Sequence, residues 1–226
     1  MSPATLTRAE RQAKTRAALL GSAAKLFRER GLEGTSVEQI ARDAGYTKGA
    51  FYANFDSKED LFLVMLDEKF AANEKRLEGA LRGGGPPAEE ARTAAEEFVR
   101  FVWSDPEWPK LFFEFTAYAA RNERFRKELA DRYAATRARM VEVFRRWAQE
   151  LPADPPFPLE QIATMVFCMG NGFVMEQLIE PDLGEELYGT MMATFFRGVA
   201  ASAIGLDLDA AAKAQEASSR RAGAGR

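Results

Sequence analysis

Apolar residues recur at helical spacing along most of the chain, and small polar residues mark where the runs begin. In TSVEQIARDAGYTKGAFYANFDSKEDL, residues 35–61, three such beginnings follow in quick succession. Ser36, with Gln39 three residues on, forms a capping box ahead of the apolar face Val37, Ile40, Ala41 and Ala44, and Gly45 ends that helix. Thr47 caps a second, short helix on which Phe51 and Phe55 lie four apart, flanked by Ala50 and Tyr52. Ser57 caps a third, with Asp60 at the box position. Helix, glycine-containing turn, short helix is the helix-turn-helix pattern, whose second helix enters the major groove of DNA.

The same reasoning extends in both directions. MSPATL is expected to be a frayed arm, after which Thr7 and Glu10 cap a long helix reaching Arg30, with the stripe Leu19, Leu20, Ala23, Leu26, Phe27 and a stop at Gly31. The helix begun at Ser57 continues through Leu61, Met65, Leu66, Phe70 and Leu77 to about Arg82, where Gly83-Gly84-Gly85-Pro86-Pro87 breaks it. Its length suits a lever that joins the DNA module to the next one. Three further stripes follow: Ala91 to Val102, Trp108 to Ala119, and Phe125 to Trp147. LPADPPFP, residues 151–158, is a stiff connector, and Pro181 to Gly184 separates two last helices, about Leu159 to Ile179 and Glu185 to Ala203. No strand-like alternation or internal repeat interrupts them. The expected fold is therefore all-α: an N-terminal three-helix helix-turn-helix module over residues 1–57, a connecting helix over 58–82, and a larger helical domain over 83–206. Residues 207–226 lack an apolar stripe and are expected to be disordered.

The formal charge of −3 looks wrong for a DNA binder until it is divided along the chain. Residues 1–58 hold ten Lys/Arg against six Asp/Glu, which leaves 21 against 28 for the rest of totals of 31 and 34. A locally basic module attracts phosphates while an acidic body limits indiscriminate sticking. Arg8, Arg11, Lys14 and Arg16 make the first helix basic, either as a solvated face or as phosphate contacts. One cysteine, no signal-like start and no long charge-free apolar run point to a cytoplasmic protein with no disulfide and no membrane partner.

Enzymatic chemistry finds little to work with. The chain has no histidine, so the commonest general base, zinc pairs and serine-histidine pairs are missing, and neither a catalytic set, a metal site nor a cofactor is expected. Acidic neighbours such as Glu89-Glu90 and Glu185-Glu186 point to different helix faces and read as solvated surface. Cys168, inside MVFCMGNGF, reads as a buried small hydrophobe rather than a reactive thiol. Aromatic bulk remains: the chain's 17 phenylalanines, three tryptophans and eight methionines fall mostly after residue 60 and can fill a core, line a pocket or form an interface. Phe98, Phe101, Phe112, Phe115, Met140, Phe144 and Phe167 are the candidate lining of a pocket for a small, largely apolar effector. Tyr118, Asn122, Thr136 and Asn171 could orient such a ligand or be satisfied buried polar groups.

YTKGAFYANFDSKEDLF resembles the recognition-helix segment of the tetracycline-repressor (TetR) family, and TRAALLGSAAKLFRERGLEGTSVEQIA resembles its first two helices. The likeness covers roughly residues 8–66, and the remainder is similar in architecture only. It implies a DNA-contacting set. Thr47 supplies the capping hydroxyl, Lys48 and Gly49 the pair that approaches bases, Tyr52 a phosphate contact and Lys58 a backbone contact, joined by Thr35, Ser36, Arg42, Ala50 and Asn54. Ala50 stands where threonine or serine is frequent, and Ala53 and Asn54 where histidines often are, so the base preference is this chain's own. The resemblance further implies a homodimer on a palindromic duplex. The helix from Leu159 is apolar nearly all round and needs cover from a second copy, through Ile162, Val166, Gly170 and Phe173 with Met191, Phe195 and Val199 of the last helix. The function implied is a ligand-responsive DNA-binding regulator, usually a repressor. A TetR-like DNA-binding organiser without a small effector is the alternative.

Overall fold

The computed structural model describes residues 7–80, 86–149 and 153–204. Among them are nine helices and no strand: α1 (Arg8–Arg30), α2 (Val37–Asp43), α3 (Lys48–Tyr52), α4 (Lys58–Ala80), α5 (Pro87–Trp103), α6 (Glu107–Ala119), α7 (Glu123–Ala148), α8 (Leu159–Ile179) and α9 (Glu185–Ala203). The opening arm, Arg82, the three glycines after it and the C-terminal tail lie outside the described residues.

Local chemistry sets most of the helix starts. Thr7 and Ser36 each complete a reciprocal capping box, with Glu10 and Gln39 respectively. At α4 the exchange is offset by a residue: Ser57 Oγ accepts from the Asp60 N–H at 3.0 Å, but the Asp60 carboxylate accepts from the N–H of Asp56 rather than of Ser57. Helix α3 is shorter than its apolar spacing suggests. It ends at Tyr52, and Phe55 reaches the core from the following turn, 2% exposed.

Two compact units are present. The first takes described residues up to Lys75 together with Phe101–Tyr133, so it contains the three N-terminal helices, most of α4, all of α6 and the start of α7. Its core is continuous: Leu19, Ala23, Leu26 and Phe27 of α1 meet Ile40, Phe51, Leu61, Phe62 and Leu66, and equally Leu111, Phe112 and Phe115 of α6. Phe115 is fully buried, edge-on to Phe27 and stacked within 5° of parallel on Phe62. The three-helix module expected over 1–57 thus shares its apolar centre with a helix some fifty residues further on.

The second unit holds residues 76–80, 86–100, 134–149 and 153–204 of the described chain. Its core is built from Ala95 and Val99 of α5, Val141 of α7, Ile162, Ala163, Phe173 and Val174 of α8, and Tyr188, Met192, Phe196 and Val199 of α9. Tyr188 stacks on Phe173 at 4.9 Å between ring centres. A Cβ at Gly170 would lie 3.1 Å from the Tyr188 hydroxyl and 3.4 Å from the Phe98 ring, so the helices approach closely here and a larger residue would push on both rings. Burial pushes the Tyr188 phenol up from its ordinary value.

Candidate nucleic-acid interface

The turn between α2 and α3 is fixed by Gly45, in left-handed backbone at φ +76°, and by the Tyr46 N–H donating to Ala41 O at 2.8 Å. Thr47 then caps α3 by accepting from the Ala50 N–H at 3.2 Å. Phe51, wholly buried, and Phe55 hold α3 from below, which leaves Thr47, Lys48, Gly49 and Tyr52 on its outer edge. Tyr52 is 50% exposed. The Lys48 ammonium lies 5.9 Å from the centre of its ring and pairs with Glu38 of α2. That hydrogen bond pulls the Glu38 carboxyl below its ordinary value and pushes the Lys48 ammonium above its own. Arg42 and Gly49 are exposed and Ala50 is half-buried, while Ser36 is committed to the α2 cap. On α1, Arg8, Arg11 and Lys14 are exposed, whereas Arg16 covers the Phe55 ring at 4.3 Å and donates to Asn54 O at 2.9 Å.

Three residues expected among the DNA contacts turn inward. Thr35 is 1% exposed, and its hydroxyl lies 2.8 Å from Gly31 O and 3.2 Å from Leu26 O, where it closes the turn after α1. Asn54 is half-buried and donates to Ala50 O at 2.8 Å, which finishes the end of α3. Lys58 is also half-buried, and its ammonium donates to Leu32 O at 2.6 Å and Thr35 O at 2.9 Å. In each case the partner is a backbone carbonyl, four residues back for Thr35 and Asn54 and in the distant turn after α1 for Lys58.

The candidate effector residues are divided between the two units. Phe101, Phe112, Phe115, Tyr118 and Asn122 belong to the first, and Phe98, Met140, Phe144, Phe167 and Asn171 to the second. Phe112 and Phe115 are core residues of the first unit. Tyr118 and Asn122 are engaged in structure: Asn122 Oδ1 accepts from the Phe125 N–H at 2.9 Å at the start of α7, its Nδ2 donates to the Tyr118 oxygen at 2.8 Å, and the Tyr118 hydroxyl donates to Glu59 of α4 at 3.4 Å. In the second unit Phe144 packs edge-on to Phe196, the Arg137 guanidinium lies 5.6 Å from the Phe167 ring centre, and Met140 and Asn171 are half-buried. Trp147, packed on Phe196, has a buried indole N–H with no hydrogen-bond partner. Among the described residues no group of three or more carboxylates or cysteines could hold a metal ion.

The expected dimer face also needs revision. Ile162, Gly170, Phe173 and Val199 are buried by their own chain, while Val166 and Phe195 are half-buried and Met191 is 38% exposed. The apolar stripe left open shares Met191 with that face and otherwise consists of Cys168, Gly172, Met175 and Ile179 on α8 and Leu187 on α9. Cys168, expected to be buried, is exposed because α8 turns its other apolar face to its own core. Helix α8 is long and apolar enough to cross a membrane by composition alone, and its open stripe accounts for much of that character.

Comparison with known proteins agrees with this geometry. The family model for bacterial regulatory proteins of the tetR family matches residues 19–65, and that for the C-terminal domain of BetI-type transcriptional repressors matches 87–201. The HTH-type transcriptional regulator YfiR of Bacillus subtilis strain 168 is 25% identical over 171 residues, 75% of this chain and 82% of its own. Among solved structures, a transcriptional regulator from Pseudomonas aeruginosa PAO1 is similar with a TM-score of 0.67 at 21% identity, over 87% of this chain and 93% of that one. The transcriptional regulator FadR of Bacillus subtilis, solved in complex with stearoyl-CoA, is similar with a TM-score of 0.65 at 15% identity, over 79% and 95%. With both of its helical regions matched and the recognition helix presented on a packed base, the chain belongs to the TetR family of ligand-responsive, DNA-binding transcriptional regulators.

Proposed function

We propose that this regulator is a cytoplasmic homodimeric repressor that binds a palindromic operator and is released from it by a small, largely apolar effector. The observation that supports operator binding best is the outer edge of α3. Thr47, Lys48, Gly49 and Tyr52 are exposed on a helix whose inner Phe51 is wholly buried, so the reading surface is rigid before DNA arrives. In a dimer the two recognition helices meet half-sites about 34 to 36 Å apart, one turn of the duplex. The partner is a second copy docked on the open stripe of α8 and α9, where Gly172 has nothing near its Cβ position and permits close helix approach.

The effector proposal rests on the aromatic and methionine side chains of the second unit and on the absence of histidine. Such surroundings favour an acyl or aromatic body over a charged one. Long-chain acyl-CoA is the first probe, because a structural neighbour is a complex with stearoyl-CoA. A duplex selected from a random library by the protein, then titrated with stearoyl-CoA and with a panel of aromatic compounds, tests the reading. Release by one of these classes is expected. Retention of the duplex in the presence of all of them would favour the organiser reading, in which DNA is held with no small effector.

A further inference from the structure

The turn that leads from α1 into α2 is gripped from two sides at one residue. Lys58, the first residue of α4, donates to Leu32 O at 2.6 Å and to Thr35 O at 2.9 Å. Glu114 of α6 accepts from the N–H of the same Leu32 at 2.7 Å. The anion holds the peptide group before the Leu32 Cα and the cation the one after it, so the residue is pinned on both sides by charge-assisted hydrogen bonds. The turn is shaped around this contact. Gly31 has φ +69°, and a Cβ there would come within 2.7 Å of Glu114 Oε1. Leu32 itself is 2% exposed, and the Thr35 hydroxyl closes the loop onto Gly31 and Leu26. Ser36, the next residue, caps α2, whose relation to α3 is fixed by the Gly45 turn. The aim of α2 and α3 relative to α4 and α6 is therefore decided over residues 32–35.

We propose that Lys58 and Glu114 are positioning residues for operator recognition, clamping Leu32 by its two flanking peptide groups, and that Lys58 supports DNA binding through this clamp rather than by neutralising a phosphate. An ammonium has three donors, and two of those of Lys58 are spent on carbonyls. The inference rests on α3 binding DNA but is separable from it.

The test uses the full-length protein and a duplex that it selects from a random library. Lys58→Met, Glu114→Ala, Glu114→Gln and the Lys58→Met/Glu114→Ala double variant are compared by operator affinity across a salt series, with amide exchange at Leu32 followed alongside. Each of the first two substitutions is expected to weaken operator binding about tenfold, the scale of one charge-assisted hydrogen bond. The double variant should be little worse than the weaker-binding single, since both bonds hold one residue of the same turn. Glu114→Gln, which keeps an acceptor oxygen, should restore most of the affinity and the slow exchange at Leu32 that Glu114→Ala loses. The salt slope should be that of the parent in every variant. A slope shallower by about 0.9 per protomer in Lys58→Met, with Glu114→Ala binding like the parent, would make Lys58 a phosphate contact and overturn the clamp. Fully additive losses would overturn it equally. A parent that selects no duplex would instead overturn the DNA-binding reading on which the claim stands. Should Glu114→Ala fail to fold, Lys58→Met and Glu114→Gln still decide the matter through the slope and the exchange rate.

Discussion

Glu38 holds its carboxylate on Lys48 at the outer edge of α3, so a Lys48 that meets DNA must exchange this partner. Both groups are exposed, and such a pair contributes little to stability. Its weight falls on selectivity, because a carboxylate beside the duplex repels phosphates whatever the sequence. Glu38→Gln should therefore tighten binding to random duplex severalfold more than binding to the selected operator, a comparison that competition anisotropy measures directly. Asp105 gives the residue scale a stability test. Its partial burial would raise the carboxyl, but hydrogen bonds from Arg28 at 2.6 Å and Lys69 at 3.2 Å outweigh this and hold it below the ordinary value of 3.8. A carboxyl depressed in the folded state stabilises fully above its unfolded pKa and loses that contribution as pH falls through the folded one. Asp105→Asn should thus be less stable than the parent by about 1 kcal/mol from pH 5 to 8. The gap should close below about pH 4 in denaturant titrations. Capping residues such as Thr7, Ser36, Thr47 and Ser57 were legible because a cap and its partner lie three residues apart. Thr35 and Lys58 were not, because their hydrogen bonds close turns whose geometry exists only after folding, whereas Asn122, three residues before Phe125, carries the same capping spacing, which its reading as a ligand contact passes over.

At the scale of elements, periodicity placed α8 and α9 within a residue, since long apolar runs bounded by proline and glycine leave little freedom. It could not say which of two apolar faces the chain covers itself. That choice depends on the chain's other helices: Phe98 of α5 lies against Gly170, and Tyr188 of α9 stacks on Phe173, so this face of α8 is the one its own chain buries. Substitutions on the two faces should therefore differ in phenotype. Ile179→Asp and Met191→Asp, on the open stripe, should give folded monomers by sedimentation, because the exposed chain accommodates the charge and the partner does not. Gly170→Glu should instead destabilise the monomer itself, since its Cβ meets Tyr188 and Phe98. A dimer that survives both aspartate substitutions would place the interface elsewhere. Helix α6 carries a further test. Phe115→Ala should cost about 3 to 5 kcal/mol, and because Phe115 packs on Phe27 and Phe62 the loss should appear in the unfolding of the DNA-binding module.

For the molecule as a whole, basic charge collects in the first residues, apolar bulk in the rest, and α6 belongs to the core of the DNA-binding unit despite its distance in sequence. Periodicity sets residues 1–57 apart from the rest of the chain, because it reports each helix alone and not the long-range burial of Phe112 and Phe115. Packed interiors change state as units, so an effector acts here only by favouring one arrangement of the helices over another. Everything downstream depends on whether the outer edge of α3 reads DNA. The most direct measurement is fluorescence anisotropy of a selected palindromic duplex with the parent and with the Lys48→Ala/Tyr52→Phe double variant over a range of salt. The parent should bind its selected duplex far more tightly than random duplex. The variant should lose most of that preference and show a shallower salt slope, with its dimer and thermal midpoint unchanged. Equal affinity, preference and slope in parent and variant would contradict the assignment of α3 as the recognition helix.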